Sequence, residues 1–179
     1  MEEIFVEAFQ EKDHDLLFDQ IMTEYGQSVL ELAYSYVKNK TVAEDLTQEI
    51  FVKCYRALHT FNKRAKMKTW LWRIAINHCK DYLKSWHVRN VQAVQTDHLS
   101  HASTKDDVEK AVIQKDERQM IMEATLKLPI QYRELIYLFY YEEWTIKEIS
   151  EVTNIKQNTI KTRLRRAKKL LKAELGEVE

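Results

Sequence analysis

Apolar residues recur at three- and four-residue intervals through most of this chain, the spacing of amphipathic helices rather than of strands. Ala43, Leu46, Ile50 and Cys54 form one stripe; Trp72, Ala75, Ile76, Cys79 and Leu83 form a second, with Leu71 and Tyr82 at its edge. Farther along, Leu135, Ile136 and Phe139 can pack on Ile146, Ile149 and Val152, while Ile160, Leu164, Ala167 and Leu171 give a last helix its inward face. The stripes predict helices over residues 42–58 and 69–86 and a helical pair near the carboxy terminus. Two segments, Thr41-Val-Ala-Glu44 and Thr145-Ile-Lys-Glu148, have the spacing of a capping box and mark expected helix starts. Two glycines and one proline among 179 residues leave few interruptions, so an all-α fold is expected.

The stripes fail over residues 88–107, where polar residues and small apolar ones alternate without a helical period. That segment is long for a loop inside one compact domain. It predicts two small helical domains, 1–88 and 108–179, joined by a linker at 89–107 that is flexible or ordered only by a partner.

Composition changes this picture little. A chain 45% hydrophobic and 31% charged is ordinary for a folded protein, and its apolar runs are too short to span a bilayer. Its amino terminus is acidic where a secretory signal is basic, so a cytoplasmic location is expected. Cys54 and Cys79 fall in helical stripes and read as small buried hydrophobes rather than a bridge or a ligand pair. His98 and His101 have no accompanying ligand set of recognisable spacing, so no metal is expected. The six histidines show no nucleophile or acid–base arrangement and there is no glycine-rich phosphate loop, so neither a cofactor nor an enzymatic activity is expected.

Charge changes it more. A formal net charge of zero conceals alternating blocks: −9 over residues 1–50, +9 over 51–90, −5 over 91–155 and +5 over 156–179. Two basic surfaces, each preceded by an acidic stretch, are candidates for nucleic acid that the overall balance hides. Residues 156–172 hold eight Lys or Arg and no acid, directly after a short helix with its own start signal. That is the pattern of a helix-turn-helix with a basic recognition helix, in which Asn158, Thr162, Arg165 and Lys169 face outward.

The earlier basic block has a different character. Trp70, Arg73, Asn77, Lys80 and Lys84 share the face opposite the core stripe of their helix. Cations hold phosphates, a ring replaces lost base stacking at ~1–3 kcal/mol per base, and an amide can read a base edge, so this face suits single-stranded or opened DNA. Trp70 packed beneath the preceding loop, with the cations as a solvated face, fits the same pattern. On the helix before it, Asp45, Gln48, Glu49, Val52 and Arg56 share one side, either a solvated face or a docking surface for a basic helical partner.

Ala43-Glu-Asp-Leu-Thr-Gln-Glu-Ile-Phe-Val52, followed by Phe61 and by Lys68-Thr-Trp-Leu-Trp-Arg-Ile-Ala75, resembles the second conserved region of bacterial sigma-70 factors. Leu128-Pro-Ile-Gln-Tyr-Arg-Glu134, Glu148-Ile-Ser and Thr159-Ile-Lys-Thr-Arg-Leu-Arg-Arg-Ala167 resemble the fourth. Length and plan resemble the small extracytoplasmic-function (ECF) group. The resemblance implies a dissociable subunit that binds core RNA polymerase at its clamp helices and flap, directs it to −35/−10 promoters and opens the DNA, with stress-response genes as targets. It places Asp45, Gln48, Glu49 and Val52 on the polymerase. It places Lys66, Met67, Trp70, Arg73, Asn77 and Lys80 at the −10 region and its melted strand. Lys156, Lys161, Thr162, Arg165 and Arg166 fall at the −35 element, with Arg163 and Lys168 toward phosphates or solvent. It further implies an anti-sigma factor, membrane-associated in relatives, whereas this chain itself has no segment for membrane insertion. The sequence departs from the family pattern at Asn154, where glycine is frequent, and at Lys156, where a Ser or Pro is common. A helix-turn-helix regulator without a polymerase role is the alternative, but it explains neither the second basic face nor the acidic helix.

Overall fold

A computed structural model describes residues 2–61, 65–96 and 117–176, with side chains for 14–61, 65–87 and 120–176. Helices α1 (Glu2–Val37), α2 (Lys40–Ala57) and α3 (Met67–Thr96) form the first region; α4 (Glu117–Lys127), α5 (Ile130–Ile136), α6 (Ile146–Thr153) and α7 (Gln157–Leu175) form the second. A 3-10 turn, Leu58–Thr60, follows α2, and α5 runs on into a π-helical segment, Tyr137–Tyr141. No strand occurs among the described residues, and the fold is all-α. His98 and His101 lie outside the described residues, as does the remainder of the expected linker beyond Thr96.

The core stripes lie where their spacing puts them. Ala43, Leu46, Ile50 and Cys54 of α2 and Leu71, Trp72, Ala75, Ile76 and Cys79 of α3 are buried with Ile21, Val29, Leu32 and Ala33 of α1. Leu71 is fully buried rather than at the edge of its stripe. Burial raises the thiol of Cys54 to about 11 and that of Cys79 to about 12, so both behave as apolar fillers.

Two boundaries differ from expectation. Lys38 adopts a left-handed conformation (φ 57°) that ends α1, and extended Asn39 caps α2, its Oδ1 accepting the Val42 amide at 3.0 Å. Thr41 therefore lies inside the first turn and forms no capping box with Glu44; asparagine immediately after a chain reversal is the better cap. Helix α3 continues to Thr96, well past the expected end at residue 86. With no glycine or proline after Met67, adding residues to a formed helix costs little, and an apolar stripe is not needed for it.

The second region follows its turn chemistry. Pro129 stands at the N-cap of α5, where its missing amide is no loss. Thr145 and Glu148 close a true capping box on α6, with Glu148 Oε2 accepting the Thr145 amide at 3.0 Å. Asn154 takes the left-handed position after α6 (φ 57°, ψ 24°), which asparagine tolerates better than most residues.

One buried cluster runs through both regions. Helix α6 packs on α3 as well as α7, and α5 packs on α1. The Trp72 ring has Tyr25 edge-on at 5.6 Å and Trp144 of the second region at 6.0 Å. Tyr137 donates its hydroxyl to the Ser28 carbonyl at 3.1 Å. The Arg133 guanidinium donates to the carbonyls of Leu126, Leu128 and Tyr36, fastening the end of α4 and the end of α1 to one buried side chain.

Candidate functional site

Three surfaces follow from these elements, and the first is the outward side of α2. Asp45, Gln48, Glu49, Val52 and Arg56 are all exposed, as the helical period requires, and Val52 keeps 49% of its surface in water. Beside Gln48 and Val52 an apolar groove of about 600 Å³ opens between α1 and α2, lined by Phe18, Met22, Phe51 and Tyr55. An exposed valine at the rim of an apolar groove, flanked by carboxylates, is suited to a helix that presents both apolar and basic residues. Glu49 is held in place. Its Oε2 lies 2.7 Å from His78 Nε2, and His78 Nδ1 lies 2.8 Å from Lys53 Nζ. A neutral imidazole fits this chain of contacts, donating to the carboxylate and accepting from the ammonium. Nothing in the spacing of the sequence pointed to His78, because its partners sit on another helix.

The second surface is the start and outer side of α3. Arg73 and Asn77 are exposed, Lys66 projects from the turn before the helix, and Met67 is half-buried. Trp70 is half-buried too, its ring 5.4 Å from that of Phe61 and tilted at 50° to it. The two readings of Trp70 are thus both partly satisfied: one side of the ring packs on Phe61 and the core edge, and the rest is open.

The cations of this surface have partners that no local pattern announced, all from the second region. Lys80 Nζ lies 2.8 Å from Glu134 Oε1, and Lys68 Nζ lies 2.9 Å from Glu142 Oε2. Lys66 Nζ lies 3.5 Å from Glu148, and Arg73 donates to the Glu151 carbonyl at 3.1 Å. The Lys68 ammonium also stands 5.2 Å from the Trp72 ring and 5.6 Å from that of Trp144.

The third surface is the helix-turn-helix. Ile160, Leu164 and Ala167 are buried and Leu171 half-buried, which turns Lys156, Lys161, Thr162, Arg165 and Arg166 to solvent. Lys156 is the N-cap of α7 and makes no side-chain cap, the cost of departing from Ser at that position. The turn is held instead from inside, by Ser150 Oγ donating to the Ile155 carbonyl at 2.7 Å and the Ile155 amide donating to Thr153 Oγ1 at 3.3 Å. Thr162 donates its hydroxyl to the Asn158 carbonyl at 3.0 Å, so it presents a methyl and lone pairs more readily than a hydrogen. Gln131 and Tyr132 of α5 join Asn158, Thr159, Thr162, Arg163 and Arg166 around a polar recess of about 460 Å³, adding two residues that the periodicity of α7 could not reveal. Lys168 lies 5.5 Å from the Tyr140 ring rather than simply in solvent. The Glu148 carboxyl is held below the usual carboxylate range, first by the Thr145 amide and then by its hydroxyl.

Among the described residues no group of His, Cys, Asp and Glu could hold a metal ion, and no helix is long and apolar enough to cross a membrane.

An all-helical chain with a helix-turn-helix behind a second basic helix is, by class, a DNA-binding protein of transcription. Residues 21–87 match sigma-70 region 2 and residues 118–171 match sigma-70 region 4. The ECF RNA polymerase sigma factor SigW of Bacillus subtilis (strain 168) is 32% identical over 97% of this chain and 96% of its own length. SigM of the same organism is 32% identical over 88% and 94%, and the ECF RNA polymerase sigma-E factor of Escherichia coli (strain K12) 27% over 95% and 92%. The sigma factor RpoE of Bartonella quintana, solved with the anti-sigma factor NepR, shares the fold with a TM-score of 0.72 at 22% identity, over 90% of this chain and 98% of that one. CnrH, solved with the cytosolic domain of CnrY, does so with a TM-score of 0.62 at 20% identity, over 90% and 89%. The chain belongs to the ECF group of the sigma-70 family of RNA polymerase sigma factors, and is a transcription initiation factor.

Proposed function

We propose that the three surfaces divide the work of an ECF sigma factor as follows. The α2 face of Asp45, Gln48, Glu49 and Val52, with the groove beside it, docks on the clamp helices of core RNA polymerase. A second apolar groove, lined by Ile121, Tyr140, Tyr141 and Leu171, is suited to the polymerase flap. Lys156, Lys161, Thr162, Arg165 and Arg166 read the −35 element, with Tyr132 and Arg163 beside them for phosphates. Lys66, Met67, Trp70, Arg73, Asn77 and Lys80 take the −10 region and its displaced strand. Opening a duplex costs a few kcal/mol per unstacked step, and capture of extruded bases by the α3 face offsets that cost, so binding energy melts the promoter and no nucleotide is hydrolysed.

The observation that carries this division is the exposure of Val52 among carboxylates on α2, one helix away from a basic face holding an open-edged tryptophan. A repressor has no use for either. The protein works in the cytoplasm, on stress-response promoters, under an anti-sigma factor of the kind seen with the sigma factors of similar fold. Run-off transcription tests the assignment. The purified chain with core polymerase starts at promoters that core alone ignores, and failure on every fragment of its host genome excludes it.

A further inference from the structure

Every oxygen that the second region offers to the α3 cations could be replaced by a phosphate oxygen. Glu134, Glu142 and Glu148 approach Lys80, Lys68 and Lys66 at 2.8, 2.9 and 3.5 Å, the range of charge-assisted hydrogen bonds and close ion pairs. The fourth oxygen, the Glu151 carbonyl on Arg73, belongs to the last turn of α6, where the helix dipole concentrates negative charge. The four cations lie along one edge of α3 and the turn before it, while their partners come from α5, the segment after it, and α6. One surface of the second region is therefore laid along the first region's basic edge.

The contact is made of more than surface charge. The carboxylates of Glu134 and Glu142 are 4% and 6% exposed, and the rings of Trp72 and Trp144 meet beneath Lys68. It also contains a flaw. Trp72 Nε1 is buried without a hydrogen-bond partner, a cost that water removes when the regions part.

We propose that the second region acts as an intramolecular stand-in for nucleic acid: in the free chain Glu134, Glu142 and Glu148 occupy the α3 cations, and single-stranded DNA is excluded until the two regions separate. The exclusion of DNA rests on the assignment of the α3 face to the melted strand, whereas the latch between the regions does not. Parting them exposes the cations, frees the edge of Trp72 and leaves the −35 face of α7 unchanged, so the chain reads duplex DNA before it can hold an opened strand.

The test uses the full chain and two measurements: the radius of gyration from small-angle X-ray scattering, and binding of a fluorescein-labelled single-stranded oligonucleotide of mixed sequence. Glu142→Lys places like charges at the latch. Glu143→Lys makes the same change of charge on the exposed neighbour and serves as its control. The expected result is a compact wild type, an expanded E142K chain that binds the oligonucleotide about tenfold more tightly than E143K, and a return toward compact, weak binding in the exchanged pair K68E/E142K. A tenfold gain corresponds to roughly one wild-type molecule in ten being open. Should E142K fail to fold, Lys68→Glu breaks the same pair from the first region, and its expansion in scattering carries the test. A wild type already expanded, or a K68E or E142K chain as compact as the wild type, overturns the latch whatever the DNA result. Expansion of E142K with oligonucleotide affinity no better than E143K overturns the strand assignment, and the exclusion of DNA with it.

Discussion

The Lys80 ammonium lies 2.8 Å from the same Glu134 oxygen that accepts the Tyr36 hydroxyl at 2.6 Å. Burial, and then this carboxylate, raise the Tyr36 phenol well above its ordinary range, so it remains a donor at any working pH. A carboxylate from the second region thus satisfies two groups of the first in an almost dry setting. Removing its charge leaves a buried ammonium contact uncompensated. Glu134→Gln is expected to lower the unfolding free energy by roughly 1–3 kcal/mol in urea titrations followed by tryptophan fluorescence. An unchanged midpoint would remove the network from the list of stabilising contacts.

On α2, Asp45→Ala combined with Gln48→Ala should weaken binding to core polymerase by about tenfold, since truncating central interface residues commonly costs more than 1 kcal/mol. Both side chains are exposed, so the thermal midpoint should hold. Binding of the variant to −35 duplex should equal that of the wild type. Equal core affinity would move the docking surface elsewhere.

On α3, Asn77→Ala and Trp70→Ala should impair permanganate-detected strand opening more than duplex binding, with a loss of ~1–3 kcal/mol per unstacked base for the ring. Trp70 also packs on Phe61, so its replacement should cost some stability that Asn77→Ala does not. Parallel losses in opening and in duplex binding by Asn77→Ala would count against a role in melting.

The cysteines offer a check by pH. Burial raises Cys54 from 9.0 to about 11 and Cys79 from 9.0 to about 12. Both thiols are neutral in the folded and unfolded chain below 9.0, so their contribution is complete there. It declines above 9.0 as only the unfolded chain ionises, and is lost as pH passes the folded values. The native chain should therefore resist a chromogenic disulfide reagent at pH 8 and react at both positions on unfolding. Its Tm should fall above pH 9, and Cys79→Ala should make that alkaline slope shallower. Rapid native labelling would show the helices to be less closed than their burial indicates.

Much of the fold was legible because it is written in local periodicity. A core residue on a helix announces itself by neighbours three and four positions away, which is why Ala43 to Cys54 and Ile160 to Ala167 were readable without coordinates. The left-handed turn at Asn154 and the capping box at Thr145 were readable for the same reason: each concerns a few consecutive residues. The start of α2 was misread because two cap signals stood two residues apart, and the choice between Asn39 and Thr41 depended on how α1 ended. The end of α3 was misread because a missing stripe was taken for a missing helix.

The amino-acid sequence by itself determined which residues face inward on each helix, the order of acidic and basic blocks, and membership of the family, because these depend on spacing along one chain. Tertiary structure decided what each charge meets. Lys66, Lys68, Arg73 and Lys80 looked like open cations, and each is met by an oxygen of the second region. Glu49 looked like a solvated acid and is held by His78. Coulombic and hydrogen-bonded partners are set by distance in space, over a few ångströms, and a linear pattern carries no record of which distant helix comes within that reach.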